Sequence, residues 1–152
     1  MPAPCRSLAM TAILAALASP GLPGQLPVIN EFLAAGGTLR DEDGDTPNWI
    51  EIRNPASQPV NLNGWFLTDN AGNLALWQFP DTPLAAGGYL TVFASGKDRA
   101  TAGARLHTNF KLDKDGEFLA LVLPDRVTIA HAYSPGYPKQ YDGISFGLSA
   151  GE

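Results

Sequence analysis

Cysteine is nearly absent from this chain, and Cys5 is the only one. A single thiol excludes an internal disulfide framework and any zinc centre built on several cysteines. Histidine is almost as scarce, with only His107 and His131. A zinc site asks for three or four protein ligands, so these two do not make one. No glycine-rich phosphate loop and no dinucleotide-binding fingerprint occurs. No long stretch of helical periodicity appears outside the N-terminus. Positive charge is also in short supply, with ten Lys and Arg against fifteen Asp and Glu and a formal net charge of -5. That balance repels nucleic acid and anionic lipid, so no nucleic-acid partner is expected.

What is present begins with an export signal. Arg6 supplies a positive start, residues 8–18 (LAMTAILAALA) are apolar, and Ala16-Leu17-Ala18 has the small-x-small form of a cleavage site. The run is shorter than the ~20 residues that span a bilayer, so no transmembrane segment is expected. Residues 1–18 are thus expected to be a signal peptide removed after Ala18, and the protein to be secreted or held in the cell envelope. Cys5 would leave with the signal. Residues 19–27 form a Pro/Gly linker, and residues 148–152 a short tail.

Between them, residues 28–147 read as one all-β domain. Sixteen glycines and thirteen prolines punctuate short apolar runs, as in a chain of many strands and turns. Residues 48–69 form the central stretch. Ile50 and Ile52 alternate with Glu51 and Arg53, the period of a strand with one face buried. Asn54-Pro55 stops that strand, because proline has no amide hydrogen for a ladder. Val60 and Leu62 open a second strand that runs through Asn63-Gly64, a turn or bulge signal, into Trp65, Phe66 and Leu67. Further strands are expected over residues 28–35, 74–79, 89–94, 106–112 (an edge), 118–123 (buried on both faces) and 127–133. The expected core includes Ile50, Ile52, Leu62, Trp65, Leu67, Val92, Leu121 and Ile129. Tyr137, Tyr141, Ile144 and Phe146 are expected to lie on the sandwich. The spacing, with no helices between strands, predicts an antiparallel β-sandwich.

The succession VINEFLAA, DEDGD, NWIEIRNP, VNLNGWFLTD, WQFP, LAAGGYLTVFASGKD, LHTNFKL, GEFLALVLPD and AYSPGYP resembles the lamin tail domain in its secreted bacterial form. Glu51 to Pro55, the Asn63-Gly64-Trp65 step and residues 84–94 carry most of the resemblance. It implies an immunoglobulin-like sandwich and a non-catalytic binding or spacer module. In nuclear lamins such a domain is a surface for partner proteins and is said to touch DNA and chromatin. It supplies no catalytic residue. Leu148 stands where members often carry a basic residue after a glycine.

Two places offer a site. Asp41, Asp43 and Asp45 are spaced i, i+2, i+4, as the oxygen ligands of a calcium loop are. Thr46 and Ile52 stand where the helix-loop-helix calcium motif wants glycine and glutamate. The alternative is a solvated turn, but weak structural calcium binding is expected, with the empty loop held open by its own repulsion. Trp49 alternates with Ile50 and Ile52, so it faces outward and is the candidate binding aromatic. Glu31 and Glu51 could meet across strands, each exposed or one paired with Arg53. The partner expected is an unknown extracellular protein or cell-surface component. The competing reading is an exported hydrolase, or an accessory domain of one, on the same sandwich.

Overall fold

The computed structural model describes residues 24–149, all strand, turn and loop. The expected signal peptide with its cleavage site and Cys5, most of the expected linker and the last residues of the tail lie outside the described residues.

Eleven strands form. They are β1 (Val28–Leu33), β2 (Asn48–Arg53), β3 (Val60–Asn61), β4 (Phe66–Thr68), β5 (Trp77–Gln78), β6 (Pro83–Leu84), β7 (Tyr89–Ala94), β8 (Leu106–His107), β9 (Leu119–Val122), β10 (Ile129–Tyr133) and β11 (Phe146–Gly147). One sheet runs β11-β1-β2-β7-β8 and the other β10-β9-β4-β5, with β3 and β6 as a separate pair. Alternation builds the interior. Ile29, Phe32, Ile50, Ile52, Val92 and Leu106 point in from the first sheet and meet Leu67, Trp77, Leu119 and Leu121 from the second. Each fully buried Leu, Ile or Phe contributes about 1.5–3 kcal/mol of transfer free energy. Phe66, Ala120 and Val122 lie on the far face of the second sheet, under Leu74, Ala75, Phe118 and Ala132.

Seven of the eight expected core residues are buried; Ile129 is the exception, at 42% exposure. The pairing explains it. Ile129 sits opposite Val122, an outer-face residue, and a register shift separates it from His131. The bulge changes the parity of the strand, so alternation assigns the wrong face. Tyr137 is buried and Phe146 packs on the core, but Tyr141 and Ile144 are 64% and 63% exposed. The expected strand through Asn63-Gly64 is instead two strands with a corner between them. β3 pairs with β6, while β4 joins β5 and β9. Gly64 takes a φ of 80° at that corner, a value that favours glycine. β8 is an edge strand as expected, but it runs parallel to β7, with Val92 opposite Leu106 and Phe93 opposite His107. The chain leaves β7 through a loop and returns beside it in the same direction.

Asn54 does more than stop β2. It is fully buried. Its Nδ2 donates to the carbonyls of Gln58 at 2.9 Å and Ala85 at 3.1 Å, and its Oδ1 accepts the Ala56 N–H at 3.1 Å. The side chain ties the end of β2 to the turn before β7.

Candidate functional site

The loop between β1 and β2, residues 34–47, carries the acidic triplet. Its base is pinched at Gly37, where an added Cβ would lie 1.8 Å from the Thr46 carbonyl oxygen, so only glycine fits. Asp41 organises the turn. Its backbone N–H donates to the Asp45 carbonyl at 2.9 Å. Its Oδ1 accepts the N–H groups of Asp43 and Asp45, each at 3.0 Å. The residues therefore sit as they do because one carboxylate acts as a local template for the backbone.

The other oxygens converge on a cation of the protein's own. Lys97 Nζ lies 2.5 Å from Asp41 Oδ2, 2.7 Å from Asp43 Oδ2 and 2.9 Å from Asp45 Oδ2. Arg99 adds Nη1 to Glu42 at 2.6 Å and Nη2 to Asp43 at 2.7 Å. The loop is not held open by repulsion, as the sequence suggests it should be; the ammonium closes it. The Arg99 hydrogen bond, then that of Lys97, holds Asp43 down to about 2. The Glu42 backbone N–H, then Arg99, hold Glu42 down to about 2. Asp41 is lowered too, first by its bond from Lys97, and Lys97 is raised in return by Asp41, Asp43 and Asp45. The carboxylate oxygens of Asp41, Asp43 and Asp45 lie within 4.8 Å of one another, so the donor set fits a hard cation such as calcium. A calcium ion would take that place only after Lys97 withdrew from it.

Behind the ion cluster lies a polar chain that sequence reading misses. His107 is fully buried and stacks on Phe93, with ring centroids 5.0 Å apart. Its Nδ1 is 2.9 Å from Ser95 Oγ, and its Nε2 is 3.1 Å from the Glu42 carboxylate. Ser95 Oγ also accepts the Lys97 backbone N–H at 3.1 Å. Since Glu42 offers only acceptors, Nε2 carries a proton toward it, and the Ser95 hydroxyl engages Nδ1. Arg105 Nη1 donates to the Arg40 carbonyl at 2.7 Å. Together these bonds strap the β1–β2 loop to β8 and to the loop after β7. The chemistry they support is charge neutralisation and fixation of a loop.

Serine, histidine and glutamate in a row have the composition of a hydrolase relay, but the wiring is reversed. In that relay serine meets Nε2 and the acid meets Nδ1; here serine is on Nδ1. A second hydrolase signal lies near the end of the chain. Gly147-Leu148-Ser149-Ala150-Gly151 spells G-x-S-x-G, which needs a strand, a sharp turn and a helix to act as a nucleophile elbow. Its described part follows the edge strand β11, and Ser149 is exposed.

The remaining candidates separate. Trp49 faces away from Ile50 and Ile52, as alternation requires. It sits half-buried between Leu33 on β1 and Phe93 on β7. Its Nε1 is enclosed without a hydrogen-bond partner among the described residues. Glu31 and Glu51 stand opposite each other across β1 and β2. Each is engaged locally: Asn30 Nδ2 donates to Glu51 at 2.8 Å, and Ser145 Oγ donates to Glu31. Neither pairs with Arg53, which makes no ion pair among the described residues. His131 lies half-buried on the edge strand β10, and burial pushes its pKa down. Lys97, Arg99, Ser95 and His107 gave one faint sequence signal, two cations two residues apart in a polar loop.

Two facing sheets around one apolar interior define an immunoglobulin-like β-sandwich. The family model of the Lamin Tail Domain matches residues 24–136, and the chain belongs to the lamin tail domain family. No curated protein matches the chain. No helix among the described residues is long and apolar enough to cross a membrane.

Proposed function

We propose that the chain is an exported, non-catalytic binding or spacer module of the lamin-tail type, which meets an extracellular protein or a cell-surface partner. One observation carries this reading most directly. The polar groups that resemble chemistry, Ser95, His107 and Glu42 with the aspartates beside them, are consumed in fixing the β1–β2 loop. His107 is fully buried, and it meets serine on Nδ1 and the acid on Nε2, the reverse of the wiring that a hydrolase relay uses. In this reading the loop needs no metal, because Lys97 supplies its counter-charge. Trp49, half-buried on the outer face of the first sheet, is the contact aromatic in this reading. Lamin-like DNA binding is opposed by charge: loss of Arg6 with the signal leaves nine basic against fifteen acidic residues.

The test is binding of labelled protein, starting at Ser19, to intact cells of its source. The reading requires saturable attachment that protease treatment of the cells removes and that Trp49→Ala weakens. Absence of attachment, or attachment to purified duplex DNA instead, defeats it. N-terminal sequencing of exported material should begin at Ser19; retention inside the cell with Met1 intact defeats export. Of the two hydrolase signals, the Ser95–His107–Glu42 chain is the one with side chains in contact. The hydrolase reading requires ester or glycoside hydrolysis that Ser95→Ala abolishes while the fold survives.

A further inference from the structure

At the opposite end of the first sheet from the acidic loop, the ends of β1 and β2 face the edge strand β10 across a cavity of about 550 Å³. Leu26, Val28, Pro55, Ala130 and Leu148 line it, and its only charged or titratable lining residues are Arg53 and His131. Its size falls within the range of small-molecule sites, roughly 300–1,000 Å³. Two of its polar atoms are unsatisfied. Arg53 Nε and His131 Nδ1 are both buried without a hydrogen-bond partner among the described residues. The guanidinium lies 5.8 Å over the Tyr89 ring, which holds it in place but offers no acceptor. Native proteins rarely leave two buried polar atoms unpaired in one cavity, because each such group costs free energy. Acidic side chains are missing from the lining, so the missing partner is an acceptor with negative charge. Gln25 adds one neutral polar side chain, and the rest of the wall is apolar.

We infer that this cavity binds a small amphiphile carrying a carboxylate, its head on Arg53 and His131 and its aliphatic body along Leu26, Val28, Pro55, Ala130 and Leu148. Guanidinium and carboxylate match as planar fork to planar fork. Burial holds His131 neutral, so one ring nitrogen donates to the carboxylate without a charge of its own. The five apolar residues cover a short chain, not a long one. This goes beyond the proposed module function and does not depend on export or on a protein partner.

The probe is octanoate, with octanol as the control that keeps the body and loses the head. Calorimetry on the folded protein should show one saturable site of millimolar affinity or better, the order expected for about ten heavy atoms. Arg53→Gln should weaken octanoate by about tenfold or more, since a charged hydrogen-bond partner is removed. Ala130→Leu should block both probes by filling the wall. Both variants are checked for an unchanged unfolding midpoint. Nuclear magnetic resonance should show the His131 ring shifting on octanoate addition, with His107 unmoved. The inference is overturned if octanoate fails to bind, or if Arg53→Gln or octanol binds as well as the wild type with octanoate. It is equally overturned if the face instead self-associates, or binds vesicles but not free octanoate.

Discussion

Lys97 and Arg53 are two cations on one sandwich with opposite surroundings. Lys97 has three carboxylates within 2.9 Å. Arg53 has an aromatic ring beneath it and no ion pair among the described residues. The first is a closed electrostatic unit, complete within the chain, that fastens a loop. The second is half a unit. Charge alone does not distinguish a structural cation from a binding one; the completeness of its partners does. The proposal that Arg53 awaits a ligand and Lys97 does not rests on that difference.

The largest effect comes from removing the interior on which both ends rest. Trp65 is 7% exposed and packs at the corner between β3 and β4. Trp65→Ala should cost about 3–5 kcal/mol in chemical denaturation. A loss under about 1 kcal/mol, an ordinary surface value, would show that the corner repacks and that the sandwich is not what positions the two cations.

The comparison is sharpest in a matched pair. Lys97→Met leaves the fully buried side chain of Asp41 without its counter-charge, and the unfolding midpoint should fall clearly. Amide exchange at Asp43 and Asp45, whose N–H groups bond to Asp41, should speed up. Arg53→Met removes a buried unsatisfied nitrogen and keeps the stem, so stability should change by no more than about 0.5 kcal/mol. Equal losses from the two variants would erase the distinction.

How far was this legible in the sequence? Strand identity was, because Ile50/Ile52 and Val92 carry a period of two that survives in any context. The face of Ile129 was not, since a bulge of one residue flips parity without leaving a mark in composition. β11 is two residues long and one of them is glycine, so no alternation existed to read. The site was half legible. Asp41, Asp43 and Asp45 were visible as a cluster because they are neighbours in sequence. Their partner was not, because Lys97 lies 52 to 56 positions away and only the β2–β7 register brings the two loops together. Without Lys97 in view, three acids look like a metal site.

Acid provides a milder perturbation. Glu42 and Asp43 are held near 2 in the folded protein, against roughly 4 in an unfolded chain. They add stability above the unfolded value, and that stability is lost as pH falls from about 4 toward 2. Asp69 and Glu117 are raised by burial, so acidification relieves them in the window just above about 4. The urea midpoint should therefore hold or rise slightly down to about pH 4 and then drop. Lys97→Met should flatten the drop, because it removes the first of the groups that hold Asp41 down and, after Arg99, the second that holds Asp43 down. A wild-type midpoint unchanged from pH 4 to 2 would show that the cluster contributes no net stability.

Calcium gives the smallest expected effect and decides what the acidic loop is. In the wild type the convergence point of Asp41, Asp43 and Asp45 is filled by Lys97 Nζ, and the Asp41 side chain has no solvent exposure. A calcium ion must expel an ammonium that is bonded to all three acids, and gains little that the ammonium does not already supply. Millimolar calcium against chelator, at matched ionic strength, should leave the wild-type thermal midpoint where general screening puts it. Lys97→Met reverses the balance. The three carboxylate oxygens, within 4.8 Å of one another, are left with no counter-charge of their own from Lys97. Calcium should then raise the midpoint of the variant as ligand binding to the folded state requires, with an affinity in the ~10⁻⁴–10⁻³ M range of extracellular sites. Changing Asp41, Asp43 and Asp45 to Asn in the Lys97→Met background should remove that rise. An equal rise in the wild type would mean that Lys97 yields its place freely, and that the loop is a calcium site in the native protein after all.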